Sequence, residues 1–142
     1  MGNLAMPRIT CLFVVLSALL LGGCATSKKS DTLTTTLAAY ANIIRWGDIQ
    51  GATKYIDPKV LEKHPPSSLD LDRFNQVRVS EYDEGTGPVP MGDNQVSQVV
   101  QIGLINRNTQ SERTIVDHQI WRYDEASKHW WLESGLPDIT HN

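Results

Sequence analysis

Residues 95–123 read QVSQVVQIGLINRNTQSERTIVDHQIWRY, and this stretch decides the fold class. Apolar residues alternate with polar ones at both ends of it, as they do in strands with one buried face. On the first strand one face carries the large aliphatic residues Val100, Ile102 and Leu104, and the other carries Val99 and Ile105. The pattern predicts strands at 95–105 and 113–123, joined by a polar turn at 106–111.

Further strands flank this hairpin. Residues 74–82 alternate around Val77 and Val79, and residues 128–134 form a short last strand. The segment between the first two strands, 83–93, reads DEGTGPVPMGD, and its Gly and Pro content predicts an exposed loop without regular structure. We therefore expect an antiparallel sheet of about four strands.

The residues before the sheet predict helices. From an N-cap at Asp31 to a stop at Gly47, apolar residues recur at steps of three and four: Leu33, Leu37, Tyr40, Ala41 and Ile44. Asp48 caps a second helix, and Pro58 either breaks that helix or begins a further turn through Val60 and Leu61. The cluster HPPSS at 64–68 interrupts regular structure. Helices followed by hairpin-linked strands predict an α+β domain, with N-terminal helices packed on a curved antiparallel sheet.

The first residues predict export and lipid attachment. The apolar run 9–21 has 13 residues, whereas a membrane-spanning helix needs about 20, so residues 1–23 are predicted to be a signal peptide. The ending Leu21-Gly22-Gly23-Cys24 resembles the lipobox of bacterial lipoproteins, in which the Cys thiol is acylated. This resemblance implies a membrane contact through lipid on Cys24. The alternative is a plain signal peptide with an incidental cysteine.

The residues after Cys24 predict how the domain is held. Residues 24–30 are small and polar and predict a flexible tether to one domain at 31–137, with a tail at 138–142. In Gram-negative lipoproteins an Asp directly after the acylated Cys retains the protein at the inner membrane. Here Ala25 follows, so the resemblance implies the periplasmic face of the outer membrane.

Composition excludes some functions. The chain has 142 residues and a formal net charge of −3, which gives no basic surface for nucleic acid. It has two cysteines, Cys11 and Cys24, so the domain after residue 24 cannot form an internal disulfide. The four histidines are far apart in sequence, and the acidic turn around Asp70 and Asp72 lacks the other ligands of a calcium loop. We predict no metal and no cofactor.

A family resemblance rests on three segments. They are Trp46-Gly47-Asp48 through Tyr55-Ile56-Asp57-Pro58, then Ile120-Trp121-Arg122-Tyr123-Asp124, and finally Trp130-Trp131-Leu132. Together they resemble the NTF2-like superfamily, in particular SnoaL-like domains, over residues 31–137. The resemblance implies a cone-shaped sheet whose open end holds a pocket, and many such domains bind or assemble without catalysis. A cystatin-like sheet is the alternative fold.

Asp117 and His118 are the candidate chemical groups. They are neighbours on a strand and so point to opposite faces, which excludes a dyad. Asp117 shares its face with Trp121, and a carboxylate among aromatic residues can have a raised pKa and act as a base, as in NTF2-like isomerases. The alternative places Asp117 at a sheet rim or dimer contact. We expect His118 to be partly buried and hydrogen-bonded. Tyr40, with Asp117 and Trp121, would line a pocket.

Two adjacent tryptophans on the last strand must face opposite ways. We assign Trp130 to the core and Trp131 to the outer or pocket-rim surface, where it contacts either a partner or a long basic side chain. Apolar residues on both faces of strand 113–123 indicate that the sheet curves around a pocket or is covered by a protein partner or a second copy.

Two functional hypotheses follow. The first is an outer-membrane-anchored periplasmic lipoprotein that acts as a non-catalytic protein-binding or assembly module. The second is a small-ligand-binding protein, or an NTF2-like enzyme that uses a buried carboxylate, Asp117.

Overall fold

The computed structural model describes residues 22–140. Most of the predicted signal peptide, and His141, lie outside these residues, and the side chain of Cys24 is not described. The chain divides into two compact units, Met1–Thr35 and Thr36–Asn142. The predicted site residues other than Cys24 all belong to the second unit.

The first described helix, α1, spans Gly22–Trp46 and is longer than predicted. It includes residues 24–30, the predicted tether, and Asp31 lies inside the helix rather than at its predicted N-cap. No Gly or Pro interrupts residues 25–46, and Ala and Lys there favour a helix. Asp31 instead accepts a 2.9 Å hydrogen bond at its backbone oxygen from the Thr35 hydroxyl.

Gly47 ends α1 as predicted, because its φ of +73° is a conformation that favours glycine. The Asp48 carboxylate then caps α2, Ile49–Thr53, by accepting from Gly51 N at 2.9 Å. Asp57 caps α3, Pro58–Lys63, in the same way through Lys59 N at 2.8 Å. Of the two alternatives for Pro58, the structure confirms the second, since Pro58 begins a helix.

A fourth helix, α4 at Ser68–Phe74, was not predicted. A capping box begins it: Asp70 N donates to the Ser67 hydroxyl at 3.1 Å, and Ser67 N donates to the Asp70 carboxylate at 3.2 Å. The prediction of a solvated acidic turn at Asp70 and Asp72 is therefore wrong, and Phe74 belongs to a helix instead of a strand.

The sheet has strands β1 Val77–Asp83, β2 Val89–Pro90, β3 Gln95–Asn106, β4 Glu112–Asp124 and β5 His129–Leu132. These strands pair with one another antiparallel, in the order β1-β3-β4-β5, with β2 also paired to β3. The sheet is strongly curled into a half-barrel, which confirms the predicted α+β class with a curved antiparallel sheet. The short β2 corrects the prediction that 83–93 has no regular structure, since Val89 pairs with Ser97.

A β-bulge in β1 adds to the curvature. The register shifts between Val79 and Glu81, opposite Gly103 on β3. A Cβ at position 103 would lie 2.5 Å from Ser80 Oγ and 3.3 Å from Glu81 N. Only glycine leaves room for this close approach of the two strands.

The core lies on the concave face of the sheet, where the helices pack. The predicted apolar face of α1 is confirmed within the second unit, and so is the face of β3. The buried residues from these elements and the neighbouring strands are Leu37, Tyr40, Ala41, Ile44, Val100, Ile102, Leu104, Ile115, Trp121, Tyr123, Trp130 and Leu132. The curled sheet and the helices thus enclose one aromatic-rich core.

The segment between α2 and α3 is attached to the last strand. Leu132 N donates to Tyr55 O at 2.8 Å, and Asp57 N donates to Leu132 O at 2.9 Å. Arg122 bridges this segment to the chain after β5, because its guanidinium binds the Asp57 carboxylate and, at 3.0 Å, the Glu133 carboxylate. These contacts close the core at one end of the sheet.

Candidate functional site

A buried polar cluster lies on the concave face of β4. Asp117, Gln119 and Trp121 alternate along the strand and share this face. Gln119 Nε2 donates to Asp117 Oδ2 at 2.8 Å and to the Tyr82 hydroxyl at 3.0 Å, and Trp121 Nε1 donates to Gln119 Oε1 at 3.1 Å. One glutamine amide therefore connects a carboxylate, a phenol and an indole inside the core.

Burial controls the electrostatics of this cluster. It raises the pKa of Asp117 above the usual range, against the lowering effects of the Gln119 hydrogen bond and of His118. It also raises the pKa of Tyr82 to about 12 and that of Tyr40 well above its ordinary value. The cluster disfavours negative charge at every titratable position.

Tyr40 completes the cluster from the helix side. Its ring packs edge-on against Trp121, with centroids 5.2 Å apart, and against Tyr55 at 5.6 Å. Among the described residues, the Tyr40 hydroxyl and Gln98 Oε1 are buried without a hydrogen-bond partner. The structure thus brings together three of the predicted site residues, Tyr40, Asp117 and Trp121.

These three residues are absent from the linings of three cavities of the second unit. Asp117 is 8% exposed, so the alternative of a rim or dimer contact is wrong. Tyr40 and Trp121, which pack edge-on against each other on this face, are fully buried. Within the described chain, the carboxylate therefore has no open path to a substrate in any of these cavities.

The two tryptophans of β5 lie on opposite faces of the sheet, as predicted. Trp130 is buried and packs on Tyr123, with centroids 5.1 Å apart, which confirms its place in the core. Trp131 is half-buried on the other face and lies opposite Arg122 in the sheet register. The centroids of the Trp131 and His129 rings are 4.2 Å apart. Trp131 also lines none of the three cavities.

The convex face of the β3–β4 hairpin is largely open to solvent. Val99 is 50% exposed and Val116 is 55% exposed. His118, opposite Val99 in the register, is exposed as well, so the expectation that it is partly buried is wrong. The reason is that the helices pack only on the concave face. Two exposed valines thus lie diagonally across one strand pair.

An apolar concavity opens beside the end of α1. It has a volume of about 350 Å³ and is lined by residues of α1, α4, β1, β3, β4 and the C-terminal segment. Its arginines, Arg45, Arg78 and Arg107, were not singled out in the sequence. They come from separate segments and form no motif, so no sequence signal could have grouped them.

Comparison with protein-family models, curated proteins and solved structures found no match to this chain. Among the described residues, no group of three His, Cys, Asp or Glu side chains is arranged to hold a metal ion. No helix in residues 22–140 combines the length and hydropathy needed to cross a membrane. The function must therefore be argued from the geometry above.

Proposed function

We propose that this protein is a lipid-anchored envelope protein, held at the periplasmic face of the outer membrane through Cys24, and that it acts as a non-catalytic assembly module. In this proposal the convex face of the β3–β4 hairpin contacts a second copy of the chain. The observation that carries the proposal is the pair of exposed valines, Val99 and Val116, on that face.

The absence of catalysis is supported by the surroundings of Asp117. A general base must come within hydrogen-bond reach of the proton it removes. Asp117 is buried, is hydrogen-bonded to Gln119 and lines none of the three cavities. An NTF2-like enzyme that uses this carboxylate would need a path by which a substrate reaches it.

The choice of a second copy rests on charge. The centre of the convex face carries no formal charge, since its residues are Ser97, Val99, Gln101, Thr114, Val116, His118 and Ile120. Without residues 1–23 the chain loses only the positive charge of Arg8, so its net charge is −3 − 1 = −4 and its copies repel one another. A face centre without formal charge that exposes two valines is where such copies can approach closely. Anchoring in one membrane further raises their effective concentration.

Disulfide trapping in membranes tests this assembly. After residues 1–23, Cys24 is the only cysteine of the chain, and acylation consumes its thiol. The Val116→Cys variant would therefore carry one free thiol. We expect oxidation of envelope membranes to convert it to a species of twice the mass, seen on a non-reducing gel.

Leu69→Cys is the matched control, because Leu69 is 59% exposed but lies on α4, away from the hairpin. We expect little dimer from it. Equal trapping of both variants, or no trapping of Val116→Cys, would contradict self-assembly through the convex face. A Val116→Cys product of another mass would indicate a different protein partner and would also overturn the proposal of a second copy.

A further inference from the structure

The cavity beside the end of α1 has an apolar wall built from distant parts of the chain. Its volume of about 350 Å³ lies at the small end of the range for ligand pockets. The apolar lining residues are Ile44, Ile49, Phe74, Val77, Val79, Ile102, Leu104, Ile115, Pro137 and Ile139. Such a wall suits the body of one small apolar molecule.

The same cavity is lined by three arginines, Arg45, Arg78 and Arg107, and by no carboxylate. Arg45 Nη2 donates to Tyr82 O at 2.9 Å, and Arg107 Nε donates to Val77 O at 3.1 Å. Both acceptors are neutral backbone oxygens, so they position the guanidinium groups without neutralising them. Among the described residues none of the three arginines forms an ion pair.

We propose that this cavity binds a small amphipathic anion, with a carboxylate or phosphate head at the arginines and an apolar body against the aliphatic wall. A guanidinium presents a planar pair of donors that matches either head group. The proposal depends neither on the lipid anchor nor on contacts of the convex face.

Arg78 lies between Val77 and Val79 on β1, and successive side chains of a strand point to opposite faces, so its guanidinium leaves the strand on the face away from these two lining valines. Arg45 and Arg107 are therefore the arginines that carry the proposal. Trp46 lines the same cavity and is 86% exposed, so a bound molecule would change the surroundings of its indole.

Head-group selectivity tests the proposal. The probes are four eight-carbon compounds with different head groups: octanoate, octyl phosphate, octanol and octylammonium. Titration calorimetry measures the affinity of the full-length mature chain for each of them. We expect the two anions to bind and the alcohol and the ammonium to bind at least tenfold more weakly, since losing a charge-assisted hydrogen bond costs about a factor of ten. Equal binding of all four, or binding of none, would overturn the proposal.

Variants locate the site. We expect Arg107→Gln to weaken octanoate binding about tenfold, and Lys54→Gln, an exposed control with the same change in charge, to leave it unchanged. We also expect octanoate to shift tryptophan emission, and this shift to disappear in Trp46→Phe. Equal losses in Arg107→Gln and Lys54→Gln, or a shift that persists in Trp46→Phe, would place the anion elsewhere and contradict this assignment.

Discussion

Gln119 donates a 2.8 Å hydrogen bond from Nε2 to Oδ2 of Asp117, two positions earlier on the same strand. The same amide nitrogen donates to the Tyr82 hydroxyl, and the amide oxygen accepts from the Trp121 indole. A group held in this way is oriented by its neighbours and closed to solvent. The interactions of Asp117 are therefore those of a core residue.

We expect Asp117→Asn to stabilise the domain at neutral pH. The Asn oxygen can still accept from Gln119, and the substitution removes a carboxylate whose pKa burial raises. The folded-state pKa of Asp117 lies above its unfolded-state pKa, so the folded protein binds the proton more tightly at pH values between the two. The free energy of unfolding of the wild type therefore falls as the pH rises from the lower to the higher of these pKa values. Urea unfolding from pH 3 to pH 8 measures the difference.

The control for this prediction is Asp72→Asn, since Asp72 is exposed on α4. We expect the gain from Asp117→Asn to grow with pH and that from Asp72→Asn to stay near zero. A stability loss in Asp117→Asn that is independent of pH would show that the carboxylate is required for packing.

The ion pair between Arg122 and Asp57 makes the stability of the fold depend on pH with the opposite sign. Burial alone would raise the pKa of Asp57, but hydrogen bonds from Arg122 and Lys59 N, with the charge of Arg122, outweigh it and lower the pKa. This stabilisation is present above the unfolded-state pKa and is lost as pH falls through the folded-state pKa. We expect Asp57→Asn to cost about 2 kcal/mol at pH 7, since hydrogen bonds to charged groups contribute that much.

Thermal or urea unfolding of Asp57→Asn at pH 7 and pH 3 checks this prediction, and the cost should shrink at the lower pH. Lys128→Gln is the control, because Lys128 forms an exposed pair with Glu125, and such pairs contribute little. If both variants lose the same stability, the link between Arg122 and Asp57 does not stabilise the fold as described.

The two tryptophans of β5 should differ in their contribution to stability. We expect Trp130→Ala to lower the free energy of unfolding by roughly 3–5 kcal/mol, the usual cost of emptying a large aromatic site, because Trp130 is buried against Tyr123. Trp131→Ala should cost much less, since Trp131 is half-buried. Chemical denaturation compares them, and equal large losses would mean that both sheet faces are covered within one chain.

Cys24→Ser tests the anchor independently of the fold. The serine hydroxyl cannot form the thioether to the lipid, so we expect no incorporation of labelled palmitate and a precursor that is uncut or released in soluble form. Metabolic labelling followed by fractionation of membranes measures both. Labelled fatty acid in the mutant would refute the lipobox interpretation.

Periodicity was sufficient to predict the parts of the fold with one buried face. The β3–β4 hairpin, the apolar side of α1 and the core position of Trp130 all follow from it. Periodicity failed for α4, because this helix contains no buried residue and so shows no apolar face. Its capping residue, Ser67, also lies inside a segment that was assigned as a helix breaker. The capping pattern from Ser67 to Asp70 was the signal that could have shown it.

The candidate site was only half predictable. Strand alternation placed Asp117 with Trp121, but sequence spacing does not show how strongly a sheet curls, and the curl decides whether that face is filled or open. The assignment of 138–142 to a tail also missed Ile139, which is buried, lines the cavity and accepts from Arg113 at its backbone oxygen. A single apolar residue near a chain end has no period to reveal it.

The attachment of Ile56 to Leu132 has a consequence for the order of folding. This parallel bridge joins residues separated by roughly 75 positions, and closing so long a loop is slow because its entropy cost precedes any gain from contacts. The β3–β4 hairpin needs only a short turn and can form first. The segment between α2 and α3 cannot dock until β5 has been synthesised, so a chain truncated before Leu132 would leave its aromatic core exposed to aggregation.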